Sequence, residues 1–370
     1  MKKKILHIIV GLGNGGAENT LFKLTKGLKK KFNNTVLVLN NKNSLEKKFR
    51  NEKIKLVKMN IKNKFSLIIN LYKIYLVIKK NNPDLIQTWM YHSDLIGTII
   101  GKIILKKKVI WCIRHSNLKF FKSKFSTIFI SRICAILSYK FVDQIIYSSK
   151  SSLKYHKSIG YNKFKGFEIA NGYDPKNFKY IKLIKRKNTN LGFLANYRPQ
   201  KDFFTLLKSL EILNNKKIDF KCYMAGHNVD KKNQNLLNLI NKLNLEKKVY
   251  LLGELKNTKP FFNKIDYLIS SSSFGESFPN VIAESMLHGV PCISTDVGDS
   301  KKIISNLGWI SEPSNPESLY KKILEAIKFK HTNHKKFKIL KKKNRSSIIR
   351  RFHINLMCIK YSKVWRKFIN

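Results

Sequence analysis

Glu276 and Glu284 stand eight positions apart in the run Phe274-Gly275-Glu276-Ser277-Phe278-Pro279-Asn280-Val281-Ile282-Ala283-Glu284, with a loop-to-helix junction between them. Pro279 suits a position at or near the first turn of a helix, where its missing N–H costs nothing. Residues 281–289 then read as one short helix, stopped by Gly289 and Pro291. The N–H groups left over at such a helix start attract an anion, above all a phosphate. A carboxylate repels a phosphate. One glutamate before the helix and one about a turn and a half inside it are therefore suited to sugar hydroxyls, which donate hydrogen bonds. A phosphate flanked by two hydroxyl-rich groups describes a nucleotide-sugar. For a bare pair of glutamates, a solvated amphipathic helix is the plainer explanation. The Gly-Glu-Ser-Phe-Pro-Asn context and the closing His288-Gly289-Val290-Pro291 favour the site.

The segment resembles the glutamate–seven–glutamate signature of retaining glycosyltransferases of the GT-B fold, family 4 or "group 1", of the bacterial surface-polysaccharide type. Residues 271–300 follow that family's donor site almost position for position. The resemblance implies Glu276 on the donor sugar's hydroxyls and Glu284 on the ribose, with Ser277, Phe278, Pro279, Asn280 and Val281 completing the donor contacts. Lys201, in Pro199-Gln200-Lys201-Asp202, matches the family's diphosphate-binding lysine. Family members also carry an arginine just after the preceding strand. This chain has Asn196 there, and Arg198, two residues on, is the candidate substitute. Gly15 and Gly16 match the N-terminal loop that lets backbone approach the diphosphate. Gly226 falls in a loop used near the nucleotide, and Leu252-Gly253-Glu254 in one that binds the base through backbone groups. His115, at the end of a strand in Ile113-Arg114-His115-Ser116, matches the active-site histidine and joins Glu276 and Lys201 as a catalytic candidate. His92 and Asp94, after another strand on the same edge, are candidates for acceptor contacts; Asp94 is equally suited to capping the next helix.

The elements that must position these groups alternate along the whole chain. Strand-like apolar runs at 5–10, 35–40, 84–88, 109–113 and 144–148 are separated by helix-period segments such as 17–30, 65–81 and 94–105. The pattern restarts with strands at 191–195, 220–225, 249–253, 267–270 and 292–294 and helices at 202–214 and 234–244. Alternation of this kind predicts α/β architecture with parallel sheets. The expected fold is GT-B: two doubly wound, Rossmann-like domains facing a central cleft. The first spans residues 1–175 on the acceptor side and the second 188–347 on the donor side. A polar, basic linker joins them, and an amphipathic helix at 348–370 crosses back to the first domain, as in GT-B relatives. Gly11-Leu12-Gly13-Asn14-Gly15-Gly16 also fits the dinucleotide fingerprint. Its second strand ends Leu39-Asn40-Asn41-Lys42, however, with no carboxylate for the ribose, which argues against NAD.

Length and charge narrow the class further. A chain of 370 residues exceeds one ordinary core. Five cysteines, scattered without a C-x-x-C pair, suggest reduced thiols and a cytoplasmic protein. The basic start followed by 5–10 is too short and too soon interrupted for a signal peptide, and no uncharged run of 18 residues exists. The net charge of +52 draws the surface to anionic lipid headgroups or nucleic acid. No zinc-finger, helix-turn-helix or RNP pattern supports the second. The expectation is peripheral attachment to the inner face of the cytoplasmic membrane, with a glycan or polyprenyl-diphosphate-linked acceptor. The donor is a UDP- or GDP-sugar, with no cofactor or metal, since no Asp-x-Asp cluster appears. A nucleotide-sugar epimerase of the same architecture and an inactive sugar-nucleotide-binding homologue are the competing readings. Donor sugar, base, acceptor and linkage are not legible.

Overall fold

The computed structural model describes residues 1–13, 15–40, 44–59, 67–118, 125–184 and 186–369. It divides into two compact units, one of Met1–Tyr173 with Phe352–Asn370 and one of Asp174–Arg351. Each is built around an all-parallel sheet covered by helices on both faces, which is the α/β class that the alternation predicts.

In the first unit the strands are β1 (Lys4–Ile9), β2 (Asn33–Val38), β3 (Lys55–Lys58), β4 (Leu85–Trp89), β5 (Lys108–Ile113), β6 (Gln144–Tyr147) and β7 (Gly166–Glu168), in the order β3-β2-β1-β4-β5-β6-β7. Val, Ile, Leu and Trp fill both faces of β1, β4 and β5, as buried parallel strands require. One face packs on the Gly16–Leu28 helix and the terminal Ile354–Ile369 helix. The two helices approach closely: a side chain at Gly27 would meet Cys358 Sγ at 2.6 Å. The terminal helix is also pinned to the sheet, where Trp365 Nε1 donates to Gln87 Oε1 at 2.5 Å and Tyr361 lies 3.3 Å from Cys112 Sγ.

The second unit contains β8 (Thr189–Leu194), β9 (Phe220–Ala225), β10 (Val249–Leu251), β11 (Tyr267–Ser270), β12 (Cys292–Thr295) and β13 (Trp309–Ser311), ordered β10-β9-β8-β11-β12-β13. In both sheets the strand order reverses beside the first strand, between β1 and β4 and between β8 and β11. In open parallel sheets that reversal opens a crevice at the carboxyl ends of the strands.

Several boundaries differ from expectation. All ten expected strands are present, with ends shifted by up to two residues, and β3, β7 and β13 are added. The segment expected as one helix at 94–105 is an α-turn, Tyr91–Ile96, continued as a π-helical stretch, Gly97–Ile104. The expected helix at 65–81 is described from Leu67, since residues 65 and 66 lie outside the described residues, as do Asn14, Asn41 and Lys42 of the glycine-loop reading. The stretch at 348–370 is not one helix. His334–Arg351 ends, and Ile354–Ile369 begins after a short parallel bridge, in which Tyr173 N donates to Phe352 O and Ile354 N to Tyr173 O, each at 2.9 Å. The basic stretch expected as a linker through Lys187 packs as part of the second unit. Ile181 N donates to His288 O, and Arg186 pairs with Asp266 at 2.9 Å.

After Glu325 the chain carries no Asp or Glu, and part of this basic tail is interior rather than surface. Lys341 is buried. Arg345 donates to Phe178 O at 2.6 Å and to Leu287 O, and Arg351 donates to Lys302 O at 2.7 Å and to Ile303 O. These guanidinium groups satisfy carbonyls at the ends of the Asn280–Leu287 and Ser300–Ile304 helices, where cations are favoured.

Candidate active site

In the second unit the loops after β8 and β11 flank the reversal point and are stitched together. Ser273 N donates to Gln200 O at 2.9 Å, and Ser271 Oγ donates to Lys201 O at 2.9 Å and Asp202 O at 3.1 Å. Pro199–Lys201 forms a single 3-10 turn. Asp202, in the left-handed conformation at φ +49°, then caps the Phe203–Asn215 helix through Thr205 N at 3.1 Å. This places the Lys201 ammonium against Glu276, with which it forms an ion pair. Ser272 Oγ donates to the same carboxylate oxygen at 3.1 Å.

Two backbone features hold Glu276. Gly275 has φ +79°, which only glycine adopts easily. Gly298, at φ +65°, lies so close that a side chain there would meet Glu276 O at 2.3 Å, and the next residue, Asp299, donates its N–H to Ser277 O at 2.9 Å. Phe274, Ser277, Phe278 and Pro279 are buried and anchor the loop. The Asn280–Leu287 helix begins directly afterwards, and its cap residue, Pro279, supplies no side-chain acceptor to the first N–H groups. Asn280 and Val281 form the first turn, and Glu284 lies half-buried on the second. The helix ends at His288 with Gly289 at φ +76°, as the sequence predicts.

The other donor candidates of this unit sit on neighbouring loops of the same sheet edge. Asn196 Oδ1 accepts from His227 N at 3.0 Å, so this side chain locks two loops together. Gly226 is obligatory here: at φ +149° its Cβ position lies 2.0 Å from Ala195 O. Arg198 is exposed on extended backbone at the entry to the Lys201 turn.

In the first unit, Gly15 caps the Gly16–Leu28 helix after β1. A side chain at Gly15 would collide with the Glu18 carboxylate at 2.4 Å, whose pKa burial raises. Arg114, just after β5, braces this helix by donating to Thr20 Oγ1 at 2.9 Å and to Asn171 Oδ1. His115 follows, half-buried. Its ring stacks on Tyr91, with centroids 6.0 Å apart and planes at 9°, and its carbonyl accepts from Ser152 Oγ. Tyr91 is itself fixed by His156. His156 Nδ1 lies 2.8 Å from Ser152 O and donates to it, so Nε2 accepts from Tyr91 OH at 2.8 Å. Nothing in the sequence around His115 marks this support, because Ser152 and His156 lie some 40 residues downstream of it.

His92 is half-buried at the start of the turn after β4. Asp94 corrects an expectation. It is wholly buried inside that turn and neither reaches the surface nor caps the helix. Its carboxyl takes a hydrogen bond from Thr88 Oγ1 at 2.5 Å, and burial pushes its pKa up to about 8. His7 and His156 are likewise buried, which lowers each to about 4. The signs follow from linkage. Between about pH 4 and 6.5 the unfolded histidines hold protons that the folded ones lack, so their contribution to stability rises with pH. Above pH 4 the folded Asp94 keeps a proton that the unfolded chain has released, so its contribution falls with pH up to about 8. From pH 6.5 to 8 the Asp94 contribution declines by about 1.4 kcal/mol per pH unit. Asp94→Asn is expected to flatten that decline. Urea unfolding followed by tryptophan fluorescence reads it, because Trp89, Trp111 and Trp365 all lie in this unit. An unchanged slope in the variant overturns the assignment.

Comparison with known proteins bears on the family and the fold. Residues 175–345 match the family described as "Glycosyl transferases group 1", and residues 14–177 match "Glycosyltransferase Family 4". An uncharacterized glycosyltransferase of Methanocaldococcus jannaschii is 29% identical over 277 residues, covering 66% of this chain and 65% of that protein, just under two thirds of its length. The N-acetylgalactosamine-N,N'-diacetylbacillosaminyl-diphospho-undecaprenol 4-alpha-N-acetylgalactosaminyltransferase of Campylobacter jejuni is 26% identical over 339 residues, covering 86% of this chain and 88% of that protein. Among solved structures, Anabaena HepE in complex with UDP and glucose superposes with a TM-score of 0.83 at 16% identity, over 99% of this chain and 100% of that one. That likeness speaks to the fold.

Proposed function

We propose that this chain, which matches the group 1 glycosyltransferases over residues 175–345 and glycosyltransferase family 4 over residues 14–177, moves a sugar from a UDP- or GDP-sugar to a lipid-linked glycan, with retention of configuration and without a metal ion. The observation that carries the reading is the Lys201–Glu276 pair beside the start of the Asn280–Leu287 helix, at the reversal point of a parallel sheet. A cation and a helix start suit a diphosphate, and a carboxylate suits sugar hydroxyls.

In the reaction the bond from the sugar's anomeric carbon to the diphosphate oxygen breaks, and negative charge grows on the departing diphosphate. Lys201 and the N–H groups at Asn280 and Val281 stabilise that charge, with Arg198 adding its own. Glu276 holds the donor sugar's hydroxyls and Glu284 the ribose hydroxyls. The acceptor oxygen bonds the anomeric carbon on the face that the diphosphate leaves, and its proton passes to the leaving phosphate oxygen. His115, held by Tyr91 and Ser152, orients the reacting groups. The site uses no protein nucleophile. The C. jejuni relative is named for a diphospho-undecaprenol acceptor, which supports a polyprenyl-diphosphate-linked glycan and a place for the enzyme at the inner membrane face. Assembly of surface polysaccharide is the process such an activity serves.

A panel of UDP- and GDP-sugars, scored for nucleotide release with and without lipid extract, tests the proposal. Release that requires the extract is the expected result. Conversion of the donor sugar without any acceptor identifies an epimerase instead. Tight donor binding with no turnover identifies a silent homologue, the outcome that the engagement of Asn196 with the His227 backbone would favour.

A further inference from the structure

The face of the first sheet opposite the terminal helix is covered by the neighbouring Leu67–Asn81, Gly97–Ile104 and Phe125–Lys140 helices. A surface helix ordinarily turns polar residues to water. These do not. On Phe125–Lys140, Ile130, Cys134 and Leu137 face the core, while Phe129, Ile136 and Tyr139 recur at helical spacing on the outside, 57%, 75% and 60% exposed. Leu67–Asn81 repeats the pattern with Tyr72 at 62% and Leu76 at 43%, and Ile104 adds a further apolar side chain. Scattered exposed apolar residues need no explanation, but stripes recurring on helices that cover one face of the sheet mark an interaction surface.

The charge on these helices indicates the partner. None of the three contains an Asp or Glu. Lys73, Lys79, Lys80, Arg132 and Lys140 stand exposed among the apolar side chains. Apolar side chains ringed by cations, with no anion among them, fit the boundary between headgroups and acyl chains of an anionic bilayer. A second copy of the same face would bring like charges together. No helix among the described residues is long and apolar enough to cross a membrane, which leaves contact with its surface.

We propose that this outer helical face of the first unit, rather than the basic tail, seats the protein on anionic lipid. The inference rests on the membrane-side reading above for its partner. It is tested without sugar donor or acceptor, so its failure and the failure of the transferase reading are separate results. Sedimentation with vesicles of phosphatidylglycerol and phosphatidylcholine, against pure phosphatidylcholine, measures binding. Wild type is expected to prefer the anionic vesicles by at least tenfold, with binding weakened by high salt but not abolished, because the apolar contacts are unscreened. Phe129→Glu/Ile136→Glu is expected to lose at least tenfold, and Tyr72→Ser/Leu76→Ser to weaken binding independently. Lys342→Ser/Lys343→Ser in the tail changes it little. The substituted positions are exposed, so melting temperatures stay near wild type. Equal binding by wild type and both face variants overturns the proposal, as does a wild-type dimer that the face variants convert to monomer.

Discussion

Lys201→Ala is expected to lower transfer turnover about 100- to 1,000-fold, the range for removing one preorganised group that meets developing negative charge. Glu276→Ala is expected to lower it at least roughly tenfold, by releasing the donor sugar from its acceptor of hydroxyl protons. The geometry adds a condition. The two side chains pair with each other and with Ser272, so each is held by the other, and their losses should not add. The double variant is expected to be little worse than Lys201→Ala alone. Glu276→Gln separates charge from shape: it can still accept from Ser272 but no longer holds the ammonium. It should lose turnover more than it loses nucleotide affinity. Both side chains are partly solvated, at 22% and 15% exposure, so the pair contributes little to folding and the variants should melt close to wild type. Initial rates with the donor found in the sugar panel, beside melting curves, decide the matter. Wild-type turnover in both single variants would remove Lys201 and Glu276 from the site.

How far the site was legible depends on the range over which its causes act. The Asn280–Leu287 helix announced itself because its start and stop signals, Pro279, Gly289 and Pro291, are local. The ten expected strands were visible because buried parallel strands are unbroken apolar runs. β3, β7 and β13 escaped because they are edge strands of only three or four residues, too short to stand out as runs; β3 is also bounded by lysines and β7 opens on glycine. Gly298 escaped because the reason for it, the Glu276 carbonyl at 2.3 Å from a Cβ there, lies 22 positions away. The brace from Arg114 to Asn171 and the shelf of Tyr91, Ser152 and His156 under His115 join side chains from distant turns. Asp94 shows the opposite failure. An acidic residue just after a strand reads as a surface group, yet the turn after β4 begins at Met90 with φ +75° and carries the carboxyl inward to Thr88. The alternation of apolar strand runs with helix-period segments specified the architecture; close approaches between loops specify the site.

Asp266→Asn is expected to cost the second unit about 3–5 kcal/mol, the range for removing one partner of a buried ion pair. Asp266 is 2% exposed and immediately precedes β11. Its carboxylate accepts from Lys330 Nζ at 2.8 Å, Arg186 Nη1 at 2.9 Å and Asn190 N at 2.9 Å. It therefore ties the Pro316–Thr332 helix and the segment ahead of β8 to the central strand. Lys341, also buried, has its pKa lowered to about 8, chiefly by burial, with Asp266 acting against that. One carboxylate thus faces three cations in the interior of a chain of net charge +52. Asparagine keeps the shape and one acceptor oxygen but leaves Lys330, 3% exposed, without its counter-charge. A loss of that size lowers the melting temperature of a unit this large by roughly 10 °C. Asp266→Asn/Lys330→Met removes the Lys330 cation that the single variant strands and should recover part of the loss, because the desolvation cost of that buried charge goes with it. Lys330→Met alone leaves Asp266 with Arg186 and should cost less than Asp266→Asn. Calorimetric melting of the four proteins measures the coupling. Losses that simply add in the double variant would show that Asp266 and Lys330 do not stabilise one another, and that the packing around β11 holds without their charges.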